Sequence, residues 1–342
     1  MIPPPTRSLT RRHLLAATAA LVGAGLTGPA EAGVFFWGRL FSVPPRDTPF
    51  LTPNDQFYRV NYSDHSLELA ATVRSADWSL RLHGAVEHPR TFQYVDLLEQ
   101  RTMEQMVTLQ CIDNEPGGSL MSNALWTGFP LARVLEAAKP LDTAMDVVFH
   151  SLDGYHDSIT LDRALRGDAL LAHSMNGVPL PKDHGYPLRA IVPGVFGIKN
   201  VKWLTEIEVV ERDHKGYWQE RGWTDEGLIP VTSRIDSPGH YQLLRGGRQE
   251  IRGIAFAGLH GIKRVEVSVD GGRTWRDAIL APVPRYAWVP WSYEWRVPAA
   301  GAHTIAVRAE GLDGVRQVEV ASRAYPSGTS GLHTIVALVE SV

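Results

Sequence analysis

One cysteine stands in a chain of 342 residues, so no pair of cysteines can close a disulfide within it. Cross-links add nothing to its stability, and Cys111 is either a small buried filler or a thiolate with a task. Positive charge is also short: Lys and Arg number 34 against 37 Asp and Glu, a formal net charge of -3. So even a balance lacks the clustered basic footprint that nucleic acid requires, and no nucleic-acid partner is expected. There is no Cys-x-x-Cys-His run, so the chain has no attachment site for a c-type haem. Past the N-terminal segment, nothing approaches the roughly 20 apolar residues of a membrane span. The whole chain is 44% hydrophobic, the composition of an ordinary globular protein. The length suggests two domains, because single cores rarely grow much past roughly 250 residues.

Residues 1–32 read as a targeting segment. Thr10-Arg11-Arg12-His13-Leu14-Leu15 joins two arginines to an Ala-rich apolar run through Leu26, and Ala30-Glu31-Ala32 supplies a small-x-small cleavage site. The pattern resembles a twin-arginine export signal. That resemblance implies a protein exported already folded to the periplasm or another extracytoplasmic space, its mature chain beginning near Gly33. An ordinary secretory signal or an uncleaved anchor is the competing reading.

The body divides by texture. Ser79 to Val86 alternates as a strand and closes in a turn at His88-Pro89. Tyr94 to Arg101 and Leu131 to Ala138 carry helical spacing, the second stopping near Pro140. Val107 to Gln110 is a strand that delivers Cys111 at its C-terminal end. Val147 to His150, Ala190 to Val192 and Ile207 to Val210 read as further strands. Strands and short helices mix without a β-α-β rhythm, which predicts an α+β domain over 45–225. After Trp223, Pro230, Pro238 and several glycines read as a linker. From Glu250 the segments are short alternating strands, with no helical periodicity. A β-sandwich of Ig-like size fits 229–342.

Three stretches carry the chemistry. The first runs Thr52-Pro53-Asn54-Asp55-Gln56-Phe57-Tyr58-Arg59-Val60-Asn61. The second is Val107-Thr108-Leu109-Gln110-Cys111-Ile112-Asp113-Asn114-Glu115, followed by Trp126-Thr127-Gly128. The third holds Met175-Asn176-Gly177-Val178-Pro179, then His184-Gly185-Tyr186-Pro187-Leu188-Arg189, Val192-Pro193-Gly194-Val195-Phe196-Gly197 and Val201-Lys202-Trp203-Leu204. In this order they resemble the molybdopterin-binding domain of the sulfite oxidase family. Val265 to Trp275 resembles the strand-turn of the Ig-like dimerisation domain that follows it there. The same Ser-x-Asp-Gly-Gly-x-Thr-Trp also matches the Asp-box hairpin of sialidase-type propellers, a motif that should recur once per blade and here occurs once.

The resemblance implies one molybdenum-molybdopterin cofactor per chain, with Cys111 as the protein's metal ligand. A soft thiolate suits a high-valent transition metal already held by dithiolene sulfurs. It also implies cofactor contacts at Tyr58, Arg59, Val60, Asn61 and Tyr62, at Asp153, and at His184, Arg189, Asn200, Val201 and Lys202. A pterin with its phosphate needs fixed cations and backbone N–H groups of this kind. The reaction implied is two-electron oxygen-atom transfer on a small sulfur compound. Electrons would pass to a separate carrier, a cytochrome or membrane haem protein, and the protein would be a homodimer.

Three positions depart from the family pattern. Val60 stands where a substrate-binding arginine is expected, Asn114-Glu115-Pro116 offers no second arginine, and His214 replaces a substrate-side tyrosine. His214 is then a candidate proton donor or acceptor, and Arg59 a candidate compensating cation. The missing cations weaken the case for sulfite, a dianion. They keep open a sulfoxide reductase of the methionine-sulfoxide type, a fold retained for binding without catalysis, and, more remotely, a zinc hydrolase on His150/His156 or His83/His88.

Overall fold

The computed structural model describes residues 42–340. The export-type segment and the Val34-Phe35-Phe36-Trp37 lead lie outside the described residues. The first unit is built on β1 (Ser79–Gly84), β2 (Arg90–Gln93), β3 (Met103–Gln110), β4 (Met121–Pro130), β5 (Asp146–Ser151), β6 (His156–Thr160), β7 (Leu170–Met175), β8 (Val178–Pro179), β9 (Arg189–Ile191) and β10 (Leu204–Val210). They form two sheets. One has the order β2-β1-β10-β5-β6, with β1 and β10 parallel and the other pairs antiparallel; the second runs β3-β4-β7-β8, with β9 also on β7.

The alternation seen in the sequence sets the burial. Leu80 and Leu82 are fully buried while Arg81 between them is exposed. Each buried leucine contributes roughly 1.5–3 kcal/mol relative to an exposed one. The helices are α1 (Ser66–Thr72), α2 (Tyr94–Leu98), α3 (Leu131–Ala138) and α4 (Leu161–Ala164), and the third buries a full apolar face. Its Leu131, Val134, Leu135 and Ala138, spaced as one helical face, join Leu80, Leu82, Phe149 and Ile207 in one core. It ends as predicted at Ala138, where Lys139 turns left-handed (φ 53°) ahead of Pro140.

The second unit is all strand among the described residues. It comprises β11 (Thr232–Ser237), β12 (Leu243–Leu244), β13 (Gly247–Phe256), β14 (Ile262–Ser268), β15 (Arg276–Asp277), β16 (Ile279–Leu280), β17 (Val289–Val297), β18 (Gly301–Gly311) and β19 (His333–Val339). Two sheets, β11-β13-β17-β16 and β12-β19-β18-β14-β15, face each other across a core of Ile251, Val265, Val267, Trp291, Trp295, Ile305 and Ile335. This is a β-sandwich. The linker reading needs one correction: β11 lies inside the Pro230–Pro238 stretch, because the two prolines bracket the strand and leave its ladder N–H groups intact. The Asp-box segment is a self-satisfied hairpin tip. Asp270 accepts from the Thr274 N–H (2.9 Å), the Thr274 hydroxyl (2.6 Å) and the Ser268 hydroxyl (2.8 Å).

The two units share a packed boundary. Ile112, Met121 and Phe196 of the first form one apolar cluster with Ile229, Ile254, Phe256 and Trp288. Strand β3 would be an open edge of its sheet, and it is covered there: the Thr108 N–H donates to the Tyr286 carbonyl (2.9 Å) and the Trp288 N–H to the Thr108 hydroxyl (2.8 Å).

Candidate active site

A cleft holding about 780 Å³ of empty space, partly open to solvent, lies where the end of β3 meets the loop before α1, the β5–β6 turn and the segment between β9 and β10. Of the residues the resemblance assigns to the metal, the cofactor or catalysis, all line it except Arg59 and His214. Tyr58, Val60, Asn61 and Tyr62 form one wall, Cys111 and Asp153 enter from β3 and the β5–β6 turn, and His184, Arg189, Asn200, Val201 and Lys202 close the far side.

Cys111 is buried, and its backbone is pinned by N–H donation to the Leu120 carbonyl (2.9 Å) and acceptance from the Asn114 N–H (3.1 Å). Burial pushes the thiol pKa up, against the pull of the Asp113 and Ile112 N–H groups. Close by, Gly197 leaves room that a side chain would fill: a Cβ there would lie 2.7 Å from the Tyr58 hydroxyl and 3.6 Å from the Gln110 carbonyl.

Arg189 is the unusual charge. Its guanidinium is buried over the Trp126 ring (5.1 Å), donating to the carbonyls of His184 (2.9 Å) and Asn200 (3.0 Å). Its Nε has no partner, and no carboxylate among the described residues reaches ion-pair distance. Burial pushes its pKa down to about 10. A buried cation without a counter-charge is expensive unless something anionic comes to it. Gly185, with φ +110°, lets this corner close: a Cβ there would meet the Cβ atoms of Arg189 (3.0 Å) and Lys202 (3.2 Å). His184 is buried and held below the usual imidazole range, first by desolvation. Its Nε2 lies 2.8 Å from the Asn54 carbonyl, so Nε2 carries the proton and Nδ1 is left as an acceptor. Asn200 works as a loop brace. Its side chain accepts from the Val192 N–H (2.8 Å) and donates to the Phe196 carbonyl (3.1 Å).

Lys202 donates to Asn61 Oδ1 and to the Val60 (3.3 Å) and Asp183 (3.4 Å) carbonyls, tying the two walls together. Desolvation, then the Arg189 charge, push its pKa down to about 7. An unfolded chain binds this proton more tightly, so the group makes the fold less stable at low pH. That cost fades as pH rises from about 7 toward 10.5, the ordinary value for lysine. An anion bound beside it reverses the shift, so binding takes up a proton. For the cofactor-free protein with inorganic phosphate, calorimetry in two buffers of different ionisation enthalpy should show uptake at roughly pH 8 and little at roughly pH 6. Equal heats in both buffers at the higher pH would remove Lys202 from the anion site.

Two expectations meet a different geometry. Arg59 turns away from the cleft to pair with Asp183 (2.7 Å) and is half-exposed. His214 does not line the cleft: its Nε2 lies 3.1 Å from His156 Nδ1 and its N–H donates to Asp146 (2.9 Å). Glu115 is exposed and also lies off the cleft wall. Of the histidines offered for zinc, His83 is engaged with Glu206 and His150 with Glu208, both at 3.0 Å, His156 faces His214 (3.1 Å), and His88 lies 3.8 Å from Glu87. No group of three metal-ligating side chains is arranged to hold an ion among the described residues. Sequence reasoning missed the aromatic members of the wall, Tyr155 and Trp218, and the buried Asp157–Lys199 pair behind Tyr155. Gly-Tyr after Asp153 was a visible cue for the first; nothing marks the pair.

Comparison with known proteins identifies the family. Residues 67–218 match the oxidoreductase molybdopterin binding domain, and residues 226–324 the Mo-co oxidoreductase dimerisation domain. Sulfite oxidase of Arabidopsis thaliana is 32% identical over 293 residues, covering 70% of this chain and 74% of that protein. Mitochondrial sulfite oxidase of Mus musculus is also 32% identical, over 73% of this chain but only 54% of its own length, so the chain spans about half of that relative. The crystal structure of the sulfane dehydrogenase SoxCD from Paracoccus pantotrophus shares the fold, with a TM-score of 0.74 at 23% identity over 87% of this chain and 85% of that one. Fold and cleft together define a molybdopterin-dependent oxidoreductase with an appended β-sandwich. The chain belongs to the sulfite oxidase family, and its cofactor is molybdenum-molybdopterin.

Proposed function

We propose that this protein is exported and transfers an oxygen atom on a small sulfur compound, in the manner of sulfite oxidase. The observation that carries the site assignment is the pairing, in one cleft, of a buried thiol with a buried guanidinium that has no carboxylate partner. An anionic dithiolene-phosphate group satisfies both. Cys111 would hold the metal, and Arg189 and Lys202 would neutralise the anionic parts. The His184 acceptor nitrogen, Asn61, Asp153 and the backbone at Asn200 and Val201 would hold its polar edges. When bound, the group supplies the two-electron redox chemistry and the oxygen-atom transfer. Tyr58, Tyr62 and Trp218 exclude water around it.

The other direction, reduction of a sulfoxide, is favoured by one feature. The cleft that holds Cys111 is also walled by Val60, Tyr62, Tyr155 and Trp218, while Arg59 is spent on Asp183. Purified protein from a cofactor-making host is expected to carry about one molybdenum per chain, since one dithiolene cofactor takes one thiolate ligand. It is also expected to reduce a cytochrome or ferricyanide with sulfite. Oxidation of reduced viologen by a sulfoxide, with sulfite inert, would move the assignment to the reductive reaction. Electrons reach or leave the cleft through a separate carrier, a cytochrome or membrane haem protein. Arg11-Arg12 supports export, and the dimerisation-type second unit supports a homodimer. On one exported preparation, N-terminal sequencing should read from near Gly33 and light scattering should give two chains. An intact N-terminus or a single-chain mass would overturn the respective statement.

A further inference from the structure

We propose that Tyr155, backed by the buried Asp157–Lys199 pair, is the residue that moves protons between the cleft and solvent during turnover. This rests on the oxidoreductase reading above and adds to it a path that the metal ligand and the cation corner do not provide.

Tyr155 lines the cleft and is 9% exposed. Its hydroxyl donates to the Ile198 carbonyl (2.8 Å) and stands 3.2 Å from Asp157 Oδ2. Ile198 follows Gly197, the residue packed against the Tyr58 hydroxyl and the carbonyl of Gln110, so this hydroxyl is anchored beside the segment that carries Cys111. Behind it, Asp157 is fully buried. Its Oδ1 accepts from Lys199 Nζ (2.9 Å) and from the Ser158 N–H (2.8 Å), which leaves Oδ2 to the tyrosine. Lys199, 3% exposed, also donates to the Ser158 carbonyl (2.8 Å) and lies 3.9 Å from Asp225 Oδ1. Asp225 is half-exposed and bonded to Lys215 (2.6 Å). A phenol, a carboxylate, an ammonium and a surface carboxylate thus run in file from cleft to solvent.

Stability gives little reason for such a file, since apolar replacements of a buried ion pair are often neutral or stabilising. The chemistry does give one. Oxidation of a sulfur compound by water yields the oxygenated product, two protons and two electrons. The electrons leave to an external one-electron carrier, and the protons must leave a cleft walled by aromatic rings. Tyr155 takes a proton on a phenol lone pair while its own O–H breaks and a new O–H forms on Asp157 Oδ2. No electron moves in that step. Lys199 Nζ then gives one of its protons to Asp225 Oδ1 as the 3.9 Å between them closes, an N–H bond breaking and an O–H bond forming, and the proton on Asp157 restores the ammonium as its O–H breaks; in the reductive direction the same steps run inward. Burial raises the Asp157 carboxyl, so it can hold the proton in transit. The other groups facing Tyr155 are Asp153 and the rings of Tyr62 and Tyr217. His214 is engaged instead with His156, Asp146 and Ser158.

The test uses loaded full-length protein. Tyr155→Phe is expected to keep its molybdenum and melting temperature and lose roughly 10²-fold in kcat, the scale of general acid–base assistance. KM should stay within about twofold, and the solvent deuterium isotope effect on kcat should rise. Asp157→Leu combined with Lys199→Met, which leaves no lone buried charge, should show the same fall in kcat. A second readout needs no substrate: mixing loaded protein with reduced methyl viologen in a pH-indicator solution times the proton uptake that accompanies reduction. Tyr155→Phe should slow it by a similar factor. Wild-type kcat and wild-type proton uptake in Tyr155→Phe would overturn the relay. Loaded wild-type protein that turns over neither sulfite nor sulfoxide would overturn the substrate reading, and the viologen experiment would still judge the relay.

Discussion

Replacing Cys111 with alanine is expected to cost roughly 10³-fold or more in turnover, about 4 kcal/mol of transition-state stabilisation, and to erase the thiolate-to-metal absorption band. The fold should barely notice. The residue is small, its backbone bonds to Leu120 and Asn114 do not involve the sulfur, and a change of this size costs about 1 kcal/mol. Visible spectra, metal content and melting temperatures of the two proteins separate a ligand from a packing group. An alanine variant that keeps the band and the turnover would end the assignment of Cys111 to the metal.

Arg189→Met has effects of opposite character in the empty and loaded protein. Without the cofactor, methionine fills the space over Trp126 and removes a buried, uncompensated cation, at the loss of two hydrogen bonds to the His184 and Asn200 carbonyls. Those bonds are worth about 1.5–3 kcal/mol each to a charged donor, and removing the desolvated charge offsets them. The melting temperature of cofactor-free protein should therefore move little. Cofactor retention should collapse, read as molybdenum per chain after gel filtration, because the anionic group loses its buried counter-charge. Normal metal content with a strongly lowered melting temperature would make Arg189 a structural cation only.

Much of this is legible in the sequence. The strand ending at Cys111 was marked by a β-branched and apolar run, and the helix Leu131–Ala138 by its spacing and its proline stop. Both depend on neighbours in the chain, where periodicity carries information. Strand β11 was obscured because prolines that punctuate a linker can equally bracket an edge strand, and only the pairing with β13 decides. The positions of Arg59 and His214 were illegible for a related reason. Their partners, Asp183 and His156, are distant in sequence, and a charged residue on a loop does not announce which way it turns. Asp157 and Lys199 were hidden more deeply. Asp157 sits between His156 and Ser158 and reads as surface, Lys199 is a lone cation in a glycine-bearing loop, and only the approach of the segment after β9 to β6 buries them together.

The loop that follows Cys111 is gripped from outside its own sheet. Thr329 donates its hydroxyl to the Asn114 carbonyl, and Arg46 and Arg234 both donate to the Gly118 carbonyl at 3.0 Å. Phe256 and Trp288 fill the space under Ile112 and Met121. The sandwich therefore serves as part of the mould in which the redox half sets. Trimming the gene to its first half would leave the metal-bearing loop without its outer wall and an apolar face bare, so the two halves must be engineered, and inherited, as one piece.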